Sequence, residues 1–314
     1  MKKIIYDQYG TIQNLHMADV ATPQVSADTL IIKIKSVSIN PLDWKLVQGE
    51  LKMMSGKTFP KGIGIDFSGV ISEVGSNVSA YKVGDAIFGS LDAMKGPGAL
   101  AEYIEVKPEQ IHAKPNALSF EQAAALLIVG SAALKCIHDV LHVKSGDKIL
   151  INGATGGVGM IMTQICQKIG ANVTAVVSDQ GVEIVKKWGI KNIVNYRQQS
   201  VTQLNERFDA VVDLSGKLSF AQARPLLNAR GSYVNPTPML KDILLTPLGN
   251  LFRSQKNKIL MSNPTPQSLT ELSDWANKGL DVIVGKTYSF ENFAQAYSEM
   301  QKQGVLGKAV FVIE

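Results

Sequence analysis

The segment ILINGATGGVG at residues 149–159 constrains the fold of this chain more than any other. It begins in a short apolar run rich in β-branched residues, and its last seven positions contain four glycines. From Val158 to Ile169, apolar residues then recur at helical spacing. This order predicts a strand, a tight turn and a helix. Gly156 and Gly159 would let the backbone turn sharply and the helix pack closely on the strand.

The predicted start of that helix is a candidate phosphate site. The first N–H groups of a helix lack partners within it, and the helix dipole is positive at this end, so a pyrophosphate would be a suitable ligand. Against the usual G-x-G-x-x-G pattern, Ala154 replaces the first glycine and Gly153 lies just upstream. The motif alone is a weak signal, because a glycine-rich turn without a ligand also explains it.

Composition predicts a soluble globular protein of about two domains. Hydrophobic residues make up 45% of the chain and charged residues 19%, and the net charge of +5 comes from scattered lysines. Scattered charge is typical of a solvated surface and argues against nucleic acid as a partner. We see no run of about 18 apolar residues and no signal peptide, so we expect no membrane span and a cytoplasmic location. Cys136 and Cys166 lie in apolar helical patterns, which favours core packing over a disulfide.

The pattern of residues along the chain changes near Ser119. Residues 1 to about 120 read as short strands and turns, which predicts an antiparallel, barrel-like β domain. Ser119 is a candidate N-cap for a long helix, and strands alternate with helices after it, which predicts a parallel sheet with helices on both faces. Residues 236–256 are less clear and could form a loop with a short helix. A further helix from about Phe290 and a last strand from Lys308 complete the pattern.

Seven motifs, taken in order, are similar to those of one family. The chain resembles the medium-chain dehydrogenase/reductase superfamily, specifically its zinc-free quinone oxidoreductase and alkenal/enone reductase branch. The motifs are INPLDWKLVQG (39–49), GIDFSGVISEVG (64–75), YKVGDAIFG (81–89), ALAEYIEV (99–106), QAAALLIVGSAAL (122–134), INGATGGVG (151–159) and LGKAVFV (306–312).

The resemblance implies an α/β fold with two domains. A Rossmann domain, a doubly wound parallel sheet, would span residues 122–280. A GroES-like β-barrel domain that binds the substrate would combine residues 1–121 with 281–314. The cofactor and the substrate would meet between the two domains, and relatives are often homodimers.

The resemblance also implies a set of cofactor-binding residues, which lie in the glycine turn, after the following strands and in the last motif. These residues are Gly153, Ala154, Thr155, Gly156, Gly157, Val158, Gly159, Ser178, Tyr196, Leu214, Ser215, Asn235, Val129, Gly307 and Lys308. Two of the stretches, DLSG (213–216) and NPTP (235–238), follow consecutive strands at the carboxyl edge of the predicted sheet, where ligands of such sheets bind.

The end of the second Rossmann strand bears on the choice between NADPH and NADH. NAD-specific domains place an Asp or Glu there to accept hydrogen bonds from the ribose hydroxyls. Here the position is Val177, followed by Ser178, so no carboxylate at the strand end would repel a 2′-phosphate. Asp179 complicates this prediction, since relatives often have a basic residue near it. We predict NADPH, with NADH as the alternative.

The zinc ligands of alcohol dehydrogenases have no counterpart in this sequence. The corresponding positions read Asn40-Pro41-Leu42-Asp43 and Ile65-Asp66, and no cysteine precedes Cys136. We therefore predict that neither zinc site forms and that the protein is metal-free.

Without zinc to polarise an oxygen, the substrate must already be electrophilic, as quinones and α,β-unsaturated carbonyls are. The NPLDWK segment supplies the candidate catalytic residues Asn40, Asp43 and Lys45, and it is similar to the NPVDxKxxxG pattern of alkenal/enone reductases. Asn40 and Asp43 could instead only brace the turn, and Lys45 could be solvated. We predict an NADPH-dependent reductase of quinones or enones; the alternative is an NADPH-binding protein of the same fold with little turnover.

Overall fold

The computed structural model describes residues 1–236 and 240–314. They form two compact units, one of Met1–Ile128 with Pro264–Glu314 and the other of Val129–Asn263. These limits differ from the domain limits at 121/122 and 280/281 given by sequence motifs, because residues 264–280 make their contacts within the first unit.

The strands and helices follow each other in the order that the sequence pattern predicts. The strands are β1 (Lys2–Tyr6), β2 (His16–Asp19), β3 (Leu30–Ser38), β4 (Lys61–Gly62), β5 (Asp66–Val74), β6 (Ala86–Ser90), β7 (Tyr103–Val106), β8 (Ile111–Ala113), β9 (Lys148–Asn152), β10 (Asn172–Val177), β11 (Asn192–Asn195), β12 (Phe208–Asp213), β13 (Leu227–Asn235), β14 (Lys256–Ile259), β15 (Val284–Ser289) and β16 (Lys308–Val312). The α-helices are α1 (Pro41–Val47), α2 (Lys52–Ser55), α3 (Phe120–Lys135), α4 (Gly157–Ile169), α5 (Asp179–Lys187), α6 (Phe220–Ala223), α7 (Leu240–Leu251), α8 (Pro266–Asn277) and α9 (Phe293–Lys302).

The second unit contains a parallel sheet with the order β11-β10-β9-β12-β13-β14. Every neighbouring pair in it is parallel. The chain starts at the central β9, winds outward to β11, and then returns to the other side at β12. This is the doubly wound topology, so the Rossmann-like fold class predicted from the sequence is confirmed. The central strands β9 and β10 are buried almost throughout, as expected for a sheet covered on both faces.

The first unit is built on a sheet with the order β15-β16-β3-β5-β6-β8, in which β7 also pairs with β3. Neighbouring strands in this sheet are antiparallel, except for the parallel pair β15 and β16. The last strand joins the sheet beside β3, with Val310 opposite Ser38. The C-terminal segment is therefore part of the same sheet as the N-terminal strands, and Lys308 lies near the start of α1.

Two helices bear on expectations from the sequence. Phe120–Leu141 is a helical segment of 22 residues, apolar enough by length and composition to pass the test for a membrane span. Few of its side chains are charged, so a segment of this length and composition does occur, yet 61% of its most apolar window is buried inside the protein. A buried core helix gives the same signal, so the segment is weak evidence for a membrane. The interval 236–256, for which the sequence allowed a loop with a short helix, contains the twelve-residue helix α7.

Candidate functional site

The glycine turn between β9 and α4 has the geometry that the motif predicts. Gly153 has a left-handed backbone with φ of 92°. The N–H groups of Gly153 and Ala154 both donate to the carbonyl of Val176, each at 3.1 Å, so the turn is fixed to the neighbouring strand. A Cβ on Gly159 would lie 2.1 Å from the Gly153 oxygen. Glycine at 159 is therefore required for the helix to approach the turn so closely.

Gly156 differs from Gly159 because a side chain at position 156 would not clash with the protein. A Cβ there would come no closer than 3.4 Å to the protein, at the Gly153 oxygen, so internal packing does not require glycine. Gly156 is the N-cap of α4, and it has no side chain with which to cap this helix end. Gly156, Gly157 and Val158 are partly exposed, whereas Ala154 and Thr155 are buried beneath them. The first N–H groups of α4 are thus available to an anionic ligand.

Polar side chains join the carboxyl ends of β9 and β12 beside this turn. The Asn152 amide donates to Asp213 Oδ1 at 2.8 Å and to Ser215 Oγ at 2.9 Å. The Ser215 hydroxyl also donates to Asp213 Oδ1 at 2.7 Å, and Asp213 Oδ2 accepts the Leu218 N–H at 2.8 Å. Leu214 N–H donates to the Asn152 carbonyl at 2.9 Å. The predicted contacts Leu214 and Ser215 are therefore held in place by Asn152 and Asp213.

The predicted list of cofactor contacts did not include Asn152 or Asp213, although Asp213 begins the DLSG stretch and Asn152 lies in the glycine-turn motif. A signal was present, because both are polar residues at the ends of buried strands. Their role depends on β9 and β12 being neighbours, with Asp213 opposite Asn152, although 61 residues separate them in sequence.

The carboxyl ends of β10 and β11 form a second polar group in this unit. Asp179 accepts hydrogen bonds from Asn195 Nδ2 at 2.6 Å and from Arg197 at 2.9 Å. These two hydrogen bonds lower the pKa of the Asp179 carboxyl, Asn195 contributing most. Ser178 is half-buried at the N-cap of α5, and its hydroxyl does not cap that helix. Tyr196 is 50% exposed next to Arg197.

The remaining predicted cofactor contacts are more scattered. Asn235 ends β13, and the residues of the NPTP motif at 237 and 238 lie outside the described residues. Val129 is buried in α3. Gly307 has φ of 63°, and a Cβ there would lie 2.1 Å from the Ile283 oxygen, so a backbone contact within the first unit accounts for this glycine.

A buried polar cluster surrounds the start of α1 in the first unit. The Asn40 N–H donates to Asp43 Oδ2 at 2.8 Å, and Pro41 occupies the first turn, as in a capped helix start. Tyr297 from α9 donates to the same Asp43 oxygen at 3.3 Å. Asp43 Oδ1 is buried without a hydrogen-bond partner among the described residues. Burial raises the pKa of the Asp43 carboxyl to about 7, although the Asn40 N–H opposes the shift.

Lys308 and Asp66 complete this cluster, and sequence reasoning did not place them together. Lys308 Nζ donates to the Ile39 carbonyl at 2.6 Å and to Asn40 Oδ1 at 2.5 Å. Asn40 Nδ2 donates to Asp66 Oδ2 at 3.2 Å, and the Ser90 hydroxyl donates to Asp66 Oδ1 at 2.9 Å. Burial lowers the pKa of the Lys308 ammonium to about 8 and raises that of Asp66.

The structure separates Lys45 from this cluster. Asp43 is fully buried, whereas Lys45, two residues along α1, is half-buried and lies on a different face of the helix. In the part of the chain that the structure describes, no hydrogen bond or ion pair engages its ammonium group. Of the three predicted catalytic residues, Asn40 and Asp43 contact each other, and Lys45 stands apart.

Comparisons with known proteins agree with this architecture. Residues 26–116 match the family model of the alcohol dehydrogenase GroES-like domain, and residues 188–311 match that of zinc-binding dehydrogenases. The chain is 31% identical to the 2-methylene-furan-3-one reductase of Solanum lycopersicum, an alignment that covers 99% of this chain and 78% of that protein. It is 27% identical to the chloroplastic NADPH-dependent alkenal/one oxidoreductase of Arabidopsis thaliana, with 99% and 79% covered.

A solved structure shows the same fold over its whole length. The quinone oxidoreductase from Coxiella burnetii superposes with a TM-score of 0.88 at 27% identity, and the match covers 100% of this chain and 99% of that one. A Rossmann-like sheet and a GroES-like unit define a two-domain oxidoreductase. The chain belongs to the medium-chain dehydrogenase/reductase superfamily, in the branch that contains quinone oxidoreductases and alkenal/one oxidoreductases.

Proposed function

We propose that this protein reduces quinones or α,β-unsaturated carbonyls with NADPH and without zinc. The observation that carries the proposal is the uncapped start of α4 beside Gly156, where a side chain would have room but none is present. That surface suits a pyrophosphate. The relatives support the rest: one is named as a furanone reductase and one as an NADPH-dependent alkenal/one oxidoreductase.

The residues after β10 and β11 support NADPH rather than NADH. The carboxylate of Asp179 would disfavour a 2′-phosphate if it were free, but Arg197 and Asn195 both donate to it. Arg197 brings a guanidinium group to this strand end, and an arginine near this position accommodates the 2′-phosphate in NADP-binding domains. Ser178 adds a hydroxyl that does not cap α5. We propose that Ser178, Tyr196 and Arg197 bind the adenosine phosphate.

One of the two matching family models is that of zinc-binding dehydrogenases. The residues at the start of α1 do not fit a zinc site. Zinc sites in proteins use cysteine and histidine together with carboxylates. The cluster here offers the carboxylates of Asp43 and Asp66, and Lys308 places an ammonium group within 2.5 Å of Asn40 Oδ1. Among residues 1–236 and 240–314, no group of three His, Cys, Asp or Glu side chains could hold a metal ion. These observations support a reaction that needs no zinc.

The cofactor would supply a hydride to an electrophilic carbon, and negative charge would then develop on the substrate oxygen. The chain's own contribution would be to hold the partners and to place a donor near that oxygen. Lys45 is suited to this task because the residue is partly exposed and its ammonium has no partner among the described residues. Asn40 and Asp43 are buried and bonded to each other, so we propose that they hold α1.

A panel of acceptors tests the function directly. NADPH oxidation is measured with a benzoquinone, a naphthoquinone, an enal and an enone, and each rate is compared with the rate with NADH. The proposal expects turnover on at least one acceptor and a preference for NADPH. Tight NADPH binding without turnover on any of the four would favour a binding protein of the same fold.

A further inference from the structure

Three segments that are distant in sequence meet at the residue before α1. Asn40 precedes the helix, Asp66 begins β5 and Lys308 begins β16, 268 residues from Asn40. The exposed fractions of these residues are 2%, 1% and 6%, respectively. Their polar groups therefore act on each other and on the backbone rather than on bulk water.

Each end of the Asn40 side chain has its own partner. Its oxygen accepts from Lys308 Nζ at 2.5 Å, and its nitrogen donates to Asp66 Oδ2 at 3.2 Å. An ammonium group can only donate and a carboxylate can only accept, so one orientation of the carboxamide satisfies both neighbours. Lys308 also donates to the Ile39 carbonyl at 2.6 Å, which fixes the backbone one residue earlier.

A simple packing role does not require a charged side chain at Lys308. Burying an ammonium group is costly, and apolar residues of similar volume often stabilise a protein as well or better. What the ammonium adds here is a directed pair of hydrogen bonds to Ile39 and Asn40, immediately before the helix that carries Lys45.

We infer that Lys308 and Asp66 are positioning residues for the reaction: together they lock Asn40 and the start of α1, and so hold Lys45 in one place. This inference rests on the proposed function for the role of Lys45. It differs from the cofactor contact that sequence motifs suggest for Lys308, because it assigns the lysine to the substrate side of the chemistry.

Kinetics of one Lys308 variant and of a matched control variant test the inference. Lys308→Met removes both hydrogen bonds, and we expect kcat for an enone to fall by between about tenfold and a hundredfold, while the NADPH dissociation constant stays within about twofold. Lys302→Met is the matched control, since Lys302 is exposed at the end of α9. A loss of NADPH affinity with unchanged kcat would assign Lys308 to the cofactor and overturn the inference.

The pH profile separates positioning from packing. The charged groups that face Lys308 are Asp66 from β5 and Asp43 from α1. Tyr297 from α9 donates a hydrogen bond to Asp43. Because burial lowers the pKa of Lys308 to about 8, kcat in the wild type should fall above that pH as the ammonium loses its proton. Lys308→Arg keeps the charge and should move this loss to higher pH. An unchanged alkaline limb would contradict the inference.

A measurement without substrate covers the case in which a variant folds poorly or no acceptor is reduced. Hydrogen exchange of the amides at the start of α1 should be faster in Lys308→Met and in the isosteric Asp66→Asn than in the wild type, with exchange in α4 unchanged. Faster exchange in the variants, together with a wild type that reduces no acceptor, would leave the positioning intact and refute only the proposed function. Unchanged exchange in both variants would refute the positioning.

Discussion

Lys45 and Lys308 are both lysines of the first unit, but their ammonium groups have different surroundings. Lys308 is buried and donates to two oxygens. Lys45 is half-buried, and no hydrogen bond or ion pair reaches its ammonium within the described residues. An ammonium group that is already bonded within the protein cannot readily serve a substrate. Of the two, Lys45 is therefore the better candidate for contact with a developing oxyanion.

Replacement of Lys45 tests this assignment. In Lys45→Ala we expect kcat for an enone to fall by about tenfold to a hundredfold, because one donor to the developing charge is lost. NADPH affinity should not change, and the exposed Lys57→Ala should behave as the wild type. Kinetics indistinguishable from the wild type would remove Lys45 from the mechanism.

Arg197 gives a second prediction for a single residue. Arg197→Ala removes the guanidinium from the end of β11 and frees Asp179 of that partner. We expect the dissociation constant for NADPH to rise by about tenfold, as for the loss of one charge-assisted hydrogen bond, and that for NADH to stay the same. Arg230→Ala, at another exposed arginine of the same unit, is the control. Equal weakening of both cofactors would argue against a 2′-phosphate contact.

The contact between β9 and α4 makes a prediction about stability. Gly159→Ala would place a methyl carbon 2.1 Å from the Gly153 oxygen, so the helix must move away from the turn. We expect a loss of about 1–3 kcal/mol in the free energy of unfolding, measured by denaturant titration. At Gly304 a Cβ would meet no atom within 4 Å, and Gly304→Ala should be nearly neutral. Equal stability of the two variants would contradict the close approach.

The start of α1 makes a prediction about pH. The pKa of Asp43 is about 7 in the folded protein because of burial, against 3.8 ordinarily, so the folded state binds this proton more tightly. The resulting contribution to stability is present below pH 4 and is lost as the pH rises to 7. Relative to Asp43→Asn, the wild type should lose roughly 1–4 kcal/mol over that range in urea titrations. If the free energies of unfolding of the wild type and of Asp43→Asn changed equally with pH, the raised pKa of Asp43 would be refuted.

Single elements were predictable where local chemistry decides them. Ser119 caps α3 as predicted, its hydroxyl accepting the Gln122 N–H at 3.2 Å. The strand before the glycine turn and the helix after it lie where the pattern placed them. Helix α7 was harder because Pro247 interrupts its apolar pattern, and proline usually marks a helix end. The bounds of β14 were also hard to predict, since a short polar strand gives little periodicity.

At the scale of the whole molecule, the sequence does not show which distant residues are in contact. Asn40 and Asp43 attracted notice as a local motif, but nothing near Lys308 indicates that its ammonium reaches Asn40. That contact depends on β16 pairing with β3, which brings Val310 opposite Ser38. Family motifs placed Lys308 with the cofactor, whereas its observed hydrogen bonds lie within the first unit.

The open side of β14 gives a prediction about assembly. Among the described residues β14 pairs only with β13, so its outer edge can accept a strand. Exposed apolar side chains lie near it in sequence, at Leu251, Phe252 and Met261. We propose a homodimer formed at this edge and expect sedimentation at the dimer mass. Phe252→Lys should weaken the dimer and Met53→Lys, at an exposed residue of the first unit, should not; a monomeric wild type would refute it.

The most direct test of the account compares NADPH-dependent reduction of an enone by the wild type and by Gly156→Val, both after exhaustive treatment with a metal chelator. A branched side chain at 156 would cover the uncapped start of α4, so the account predicts full turnover by the chelated wild type and none by a folded variant. Loss of wild-type activity on chelation, restored by zinc, or normal turnover by Gly156→Val would contradict it.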